Sequence, residues 1–104
     1  MAFTGSEDHS ISLEEASQFT ANFRKTSNTG EKIGGFFGAE TFKKILDQAE
    51  VVGIRYYYGK NDDGRPVIVL CGVDANGDDL YQGELAEASQ PCPPYCSEEN
   101  PLNS

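Results

Sequence analysis

The spacing of apolar residues divides the chain into a helical first half and a β-rich second half. Leu13, Ala16, Phe19 and Phe23 recur at helical intervals and draw one apolar stripe along a predicted helix. Ser12 opens that stretch with a capping-box pattern, Glu15 following three positions on. Glu14 and Glu15 fall near the positive end of the helix dipole, and Arg24 and Lys25 near the negative end. A loop over Ser27–Gly35 follows, rich in Gly, Asn and Ser. A second amphipathic stretch, roughly Ala39–Gln48, gathers Phe42, Ile45 and Leu46 on one face, with Phe36 and Phe37 packing ahead of it.

From Val51 the residue types change. Val51, Val52, Ile54 and the run Tyr56-Tyr57-Tyr58 are β-branched or aromatic and suit a pleated surface. Asn61-Asp62-Asp63-Gly64 is a turn signal, and Val67–Val73 reads as a second strand, completing an antiparallel hairpin over about 51–73. Val67, Val69, Cys71 and Val73 share one face and Ile68 and Leu70 the other, so this strand is expected to be central and covered on both sides. Asn76-Gly77 marks another turn. Leu80–Leu85 is either a third strand or a strand that breaks at Gly83. Four prolines after Gln90 exclude a continuous helix there.

The expected class is α+β: two N-terminal helices on an antiparallel sheet of two or three strands, with an extended Pro-rich C-terminal tail. A chain of 104 residues has the length of one domain. Within it, residues 1–10 read as a polar arm, 11–89 as the core and 90–104 as the tail. The hydrophobic fraction of 38% is low, so the eleven aromatics (six Phe, five Tyr) must supply much of the core.

Charge narrows the function classes. The net charge is −9, and from Pro66 to Ser104 seven acidic residues meet no Lys or Arg. Such a surface repels phosphate backbones and anionic lipid, which argues against nucleic-acid and membrane partners. Solubility explains it most simply, and an acidic docking face is the sharper alternative. No apolar run is long enough for a membrane helix, and residues 1–10 lack the basic start and apolar stretch of a signal peptide. A cytoplasmic location is the resulting expectation. A reducing compartment and an odd count of three cysteines both disfavour a structural disulfide.

The tail segment Pro91-Cys92-Pro93-Pro94-Tyr95-Cys96 carries the main chemical question. Two thiols around a stiff spacer suit a metal clamp, a redox pair or a packed and chemically quiet tail. In a polyproline run, four steps of about 3.1 Å hold the two Cα atoms ~12 Å apart, whereas a disulfide needs no more than about 7 Å. Bridging therefore requires the spacer to turn, most simply through a cis peptide at Cys92-Pro93 or Pro93-Pro94. The expectation is a segment that lies extended against the sheet. A zinc site on Cys92 and Cys96 would need further ligands; His9 is the one candidate histidine, and Cys71 reads as a buried small hydrophobe.

Other constellations are sparse. Asp74-x-Asn76-x-Asp78 opens like a calcium loop but has Asp79 where Gly is required and Leu85 where Glu is required, so a hairpin turn accounts for it. The tyrosine run offers a stacking face or, more commonly, a strand with two rings in the core and one exposed. No nucleophile elbow, zinc-protease helix or phosphate loop is present.

The segments I-S-L-E-E-A (Ile11–Ala16, after His9), G-I-R-Y-Y-Y-G (Gly53–Gly59), G-V-D-A-N-G-D-D (Gly72–Asp79) and the P-C-P-P-Y-C tail with Asn100 and Leu102 occur in this order. Together they resemble a family of small uncharacterised Bacteroidetes-type bacterial proteins. The resemblance implies a bacterial single-domain protein and carries no activity, cofactor or site residue. The residues themselves favour a non-enzymatic cytosolic binding or protein-interaction module. The alternative is a thiol- or metal-dependent protein using Cys92 and Cys96, and a small enzyme working through the tyrosine face is a third reading. Because both faces of Val67–Val73 are apolar, a homodimer or higher oligomer is expected to supply a covering layer.

Overall fold

In chain order, the computed structural model of residues 2–104 runs α1 (Leu13–Lys25), β1 (Gly34–Phe36), α2 (Ala39–Leu46), β2 (Gly53–Lys60), β3 (Pro66–Val73), β4 (Leu85–Ala86) and β5 (Gln90–Cys92). These elements group into two units. One takes the described residues up to Glu7 with Phe37–Ser89, and the other takes Asp8–Phe36 with Gln90–Ser104.

The first unit is built on the hairpin. The Asn61 side-chain oxygen accepts the N–H groups of Asp63 and Arg65, both at 3.0 Å, and Gly64 supplies the positive φ that reverses the chain. β2 and β3 then pair antiparallel from Gly53↔Val73 to Lys60↔Pro66. β4 joins the far side of β3 through Leu70↔Ala86 and Cys71↔Leu85, so the sheet order is β2-β3-β4 and β3 is central. Among the described residues, Ile45, Leu70, Cys71 and Val73 are the buried hydrophobics, and all four lie in this unit. Burying a side chain such as Ile45 contributes about 1.5–3 kcal/mol. α2 reaches the sheet at Gly72. A Cβ there would stand 3.4 Å from Ile45 Cγ2 of α2, and 2.9 Å from Val51 Cγ2 and 3.1 Å from Gln48 Nε2 in the segment after it, so the missing side chain sets how closely helix and strand approach.

The start of the chain also belongs to this unit. Phe3 N–H donates to the Ala75 carbonyl at 2.8 Å, and its ring lies against Gly77. Glu7 turns the arm by accepting the N–H groups of Thr4 and Gly5, both at 2.9 Å. The arm expected to be merely polar is thus held by its one aromatic residue.

The second unit joins α1 to the tail. Ser12 caps α1, its hydroxyl accepting Glu15 N–H at 3.0 Å, and Thr26 terminates it. No residue of α1 is fully buried. β1 pairs antiparallel with β5 through Gly34↔Cys92, Gly35↔Pro91 and Phe36↔Gln90. Ile33 N–H and the Lys32 ammonium continue this ladder, donating at 2.7 Å to the Cys92 and Pro93 carbonyls respectively. The Arg24 guanidinium donates to the backbone oxygens of Leu102 at 2.7 Å and Ser104 at 2.9 Å.

Four expectations are corrected here. The tail is not extended: Cys92 and Cys96 form a disulfide, both prolyl bonds between them are cis, and their Cα atoms stand 4.8 Å apart. The third strand is shorter and later than Leu80–Leu85. Leu80 instead donates its N–H to Gly72 O at the end of a turn, next to the isolated Asp79–Val73 bridge, and the third strand itself is Leu85–Ala86. The helices also part company: α2 packs on the three-stranded sheet, whereas α1 groups with the tail. The strand pair β1–β5 lies where a loop and an irregular tail were expected, because two Gly and a Pro carry no strand pattern.

Candidate functional site

Alternation along β2 assigns its side chains to two different surfaces. Tyr56 and Tyr58 share a face with Leu70 and Ile68, their direct partners on β3. Arg55 and Tyr57 share the opposite face with Cys71 and Val69. All three tyrosines are exposed, Tyr56 to 56%, Tyr57 to 48% and Tyr58 to 82%. This overturns the expectation of two core rings and one exposed. For Tyr56 and Tyr58 the physical reason is that α2 covers their face of the sheet at Gly72, near one end of the hairpin, and the ring-bearing half extends beyond it.

Tyr56 and Tyr58 pack edge to face, with centroids 5.6 Å apart and planes at 78°. The neighbouring Tyr56 hydroxyl raises the Tyr58 pKa above the ordinary phenol value. Ile68, opposite Tyr58, is itself 38% exposed, so rings and aliphatic chain form one amphipathic ledge. β2 is also an outer strand of its sheet. Among the described residues, no main-chain hydrogen bond reaches its free edge.

The other face carries a polar cluster. Asp79, bridged to Val73 at the end of β3, accepts the Arg55 guanidinium at 2.5 Å through one oxygen and the Tyr57 hydroxyl through the other. Arg55 also donates to the Gly77 carbonyl at 3.1 Å and lies over the Phe3 ring, 5.9 Å from its centroid. Hydrogen bonding from Tyr57, then from Arg55, holds the Asp79 carboxyl below its usual range. The same bond raises the Tyr57 phenol. Each Asp79 oxygen thus accepts a hydrogen bond from one of these partners, and the carboxylate fixes Arg55 and Tyr57 in place. Cys71 lies 3% exposed on this face, and burial followed by the nearby Asp79 charge pushes its thiol pKa up.

In the second unit the disulfide loop is closed by Tyr95 N–H donating to the Pro91 carbonyl at 2.9 Å. Cys92 is half-buried and Cys96 exposed. Phe19, Phe23, Ile33 and Leu102 line an open groove of about 200 Å³ beside Arg24. His9 is exposed. Among the described residues, no three His, Cys, Asp or Glu side chains converge on a common point. The structure therefore does not bring His9 together with Cys92 and Cys96, and the two sulfurs, bonded to each other, are not thiolate ligands.

Sequence reasoning singled out Cys92, Cys96 and His9 and missed Phe3, Asp79 and the free edge. Only Phe3 left a signal, as a lone aromatic in a polar arm. Comparison with family models, curated proteins and solved structures finds no match to this chain.

Proposed function

We propose that this chain is a non-enzymatic protein-interaction module that works through the tyrosine-bearing edge of its hairpin. The carrying observation is the exposure of Tyr56, Tyr57 and Tyr58 on a strand with an unpaired edge. Tyrosine suits such a surface because it offers large contact area and a polar tip with only two side-chain torsions to fix. A free edge adds main-chain donors and acceptors that an extended partner can satisfy. The titratable groups nearby are engaged with one another, which supports binding over catalysis. The test is selection from a displayed library of random peptides. Wild-type protein should enrich extended, β-branched sequences that a Tyr56→Ser/Tyr58→Ser variant does not retain. Equal enrichment by both proteins would reject the reading.

A second reading, thiol–disulfide exchange by Cys92 and Cys96, is favoured by the bridge and by the exposure of Cys96. The bridge also favours an oxidising compartment over the reducing cytosol expected from the sequence. Equilibration in glutathione buffers separates the cases. A redox pair opens and closes within the physiological range of those buffers, whereas a structural bridge stays closed throughout.

A further inference from the structure

We infer that the free edge of β2 is the seam of a homodimer, in which two copies pair β2 with β2 antiparallel and extend the three-stranded sheet to six strands. This rests on the interaction reading above and names its partner as a second copy of the chain.

The edge itself is the first argument. β2 is eight residues long, contains no Pro, and has Arg55 and Lys60 as its only charges. Monomeric sheet proteins protect long edges with charge, proline, bulges or a covering element. Here the Arg55 guanidinium is turned onto Asp79 and Lys60 stands at the strand end, so no charge guards the middle. The opposite edge strand, β4, has two residues and offers no comparable template.

The second argument is self-complementarity. Antiparallel pairing of identical strands places a two-fold axis normal to the sheet, so residues that face each other across the seam lie on the same side. With Tyr57 on the axis, Tyr56 stands opposite the partner's Tyr58, and Tyr58 opposite the partner's Tyr56. The ledge of each copy then continues into that of the other, with aromatic pairs at directly facing positions. Both strands are already formed, so neither partner bears the ordering cost that a disordered peptide would.

Charge is the third argument. The chain is strongly acidic overall, yet β2 carries no acidic residue. In this register the two Lys60 residues lie roughly 20 Å apart along the seam, beyond a Debye length of about 8 Å, and so repel weakly. The two Arg55 residues are roughly 13 Å apart and each faces its own Asp79. A seam along β2 therefore meets little of the repulsion that the rest of the acidic surface would generate.

The experiment is sedimentation equilibrium of the full chain across the micromolar range, with hydrogen exchange at low and high concentration. The expected mass is twice 11.3 kDa, with outward β2 amides slowing as concentration rises. Tyr58→Lys, at a position 82% exposed, should keep the wild-type circular dichroism while raising the dimer dissociation constant at least tenfold. An 11.3 kDa wild-type mass throughout would overturn the seam, as would a dimer whose β2 exchange ignores concentration. If a monomeric protein still selects peptides through Tyr56 and Tyr58, the seam fails and the interaction reading stands. If neither peptides nor a second copy engage the edge, both fail.

Discussion

The Gln48 side chain ties the end of α2 to the approach of β4, its oxygen accepting Glu84 N–H at 2.8 Å while its nitrogen donates to the Ile45 carbonyl at 2.9 Å. One carboxamide thus links a helix terminus to a short edge strand that has little pairing of its own. Gln48→Ala should cost about 1 kcal/mol, the net worth of such bonds, and loosen Leu85–Ala86 first. Gly83→Ala should act through the same link, because its new Cβ would displace the Gln48 oxygen. Hydrogen exchange around Leu85 and Ala86 checks both, and unchanged protection in the two variants would count against the link.

Gly72 makes a second prediction. An alanine methyl would press on Val51 and Gln48 inside a buried contact, so Gly72→Ala should destabilise by about 1–3 kcal/mol. Gly59→Ala is the matched control. Its Cβ meets only Val67 Cγ2, at 3.4 Å, and the midpoint in a denaturant titration should barely move.

The Asp79 cluster predicts a pH profile. Its folded-state pKa is lowered by Tyr57 and Arg55, so its stabilisation is present above the unfolded value, about 3.9 for aspartate. That stabilisation is lost as pH falls through the lowered folded value. Asp79→Asn should therefore be slightly less stable than wild type at neutral pH, and thermal midpoints of the two proteins should converge in acid. The difference is small because Arg55 and Asp79 are partly exposed, at 32% and 23%. Tyr57 adds an alkaline limb: its raised pKa supports the fold below the unfolded phenol value, and that support is lost as pH climbs through the folded one.

The bridge predicts a thiol count. Denatured, unreduced protein should show one titratable thiol, Cys71, and reduced protein three. Replacing Cys92 and Cys96 by serine removes a five-residue loop, worth about 2 kcal/mol in the chain-entropy model. The loss should appear as faster exchange in β1 and β5, the strands that carry Cys92 and its partners.

How much of this was legible in the sequence depended on whether the deciding interaction was local. Ser12 and Glu15, three positions apart, announce the start of α1 without outside help. Asn61 and Gly64 do the same for the hairpin turn, and the Asp74 carboxylate, accepting Asn76 and Asp78 N–H groups, for the next one. The misread positions answer to distant residues. Gly34 pairs with Cys92, and Asp79 receives Arg55 from 24 residues away. The exposure of Tyr56 and Tyr58 depends on where α2 stops covering the sheet, which no strand pattern encodes. For the tail, an extended polyproline span holds only for trans peptides, and both prolyl bonds between the cysteines are cis.

The burial of Cys71 has a practical consequence. With the other two cysteines locked together, the chain carries a single native thiol, set in the middle strand of the main sheet. An alkylating reagent can reach it only when that sheet opens. The labelling rate of unmodified protein is therefore a clock for the rarest motions of the hairpin core, read at one known atom without engineering a probe.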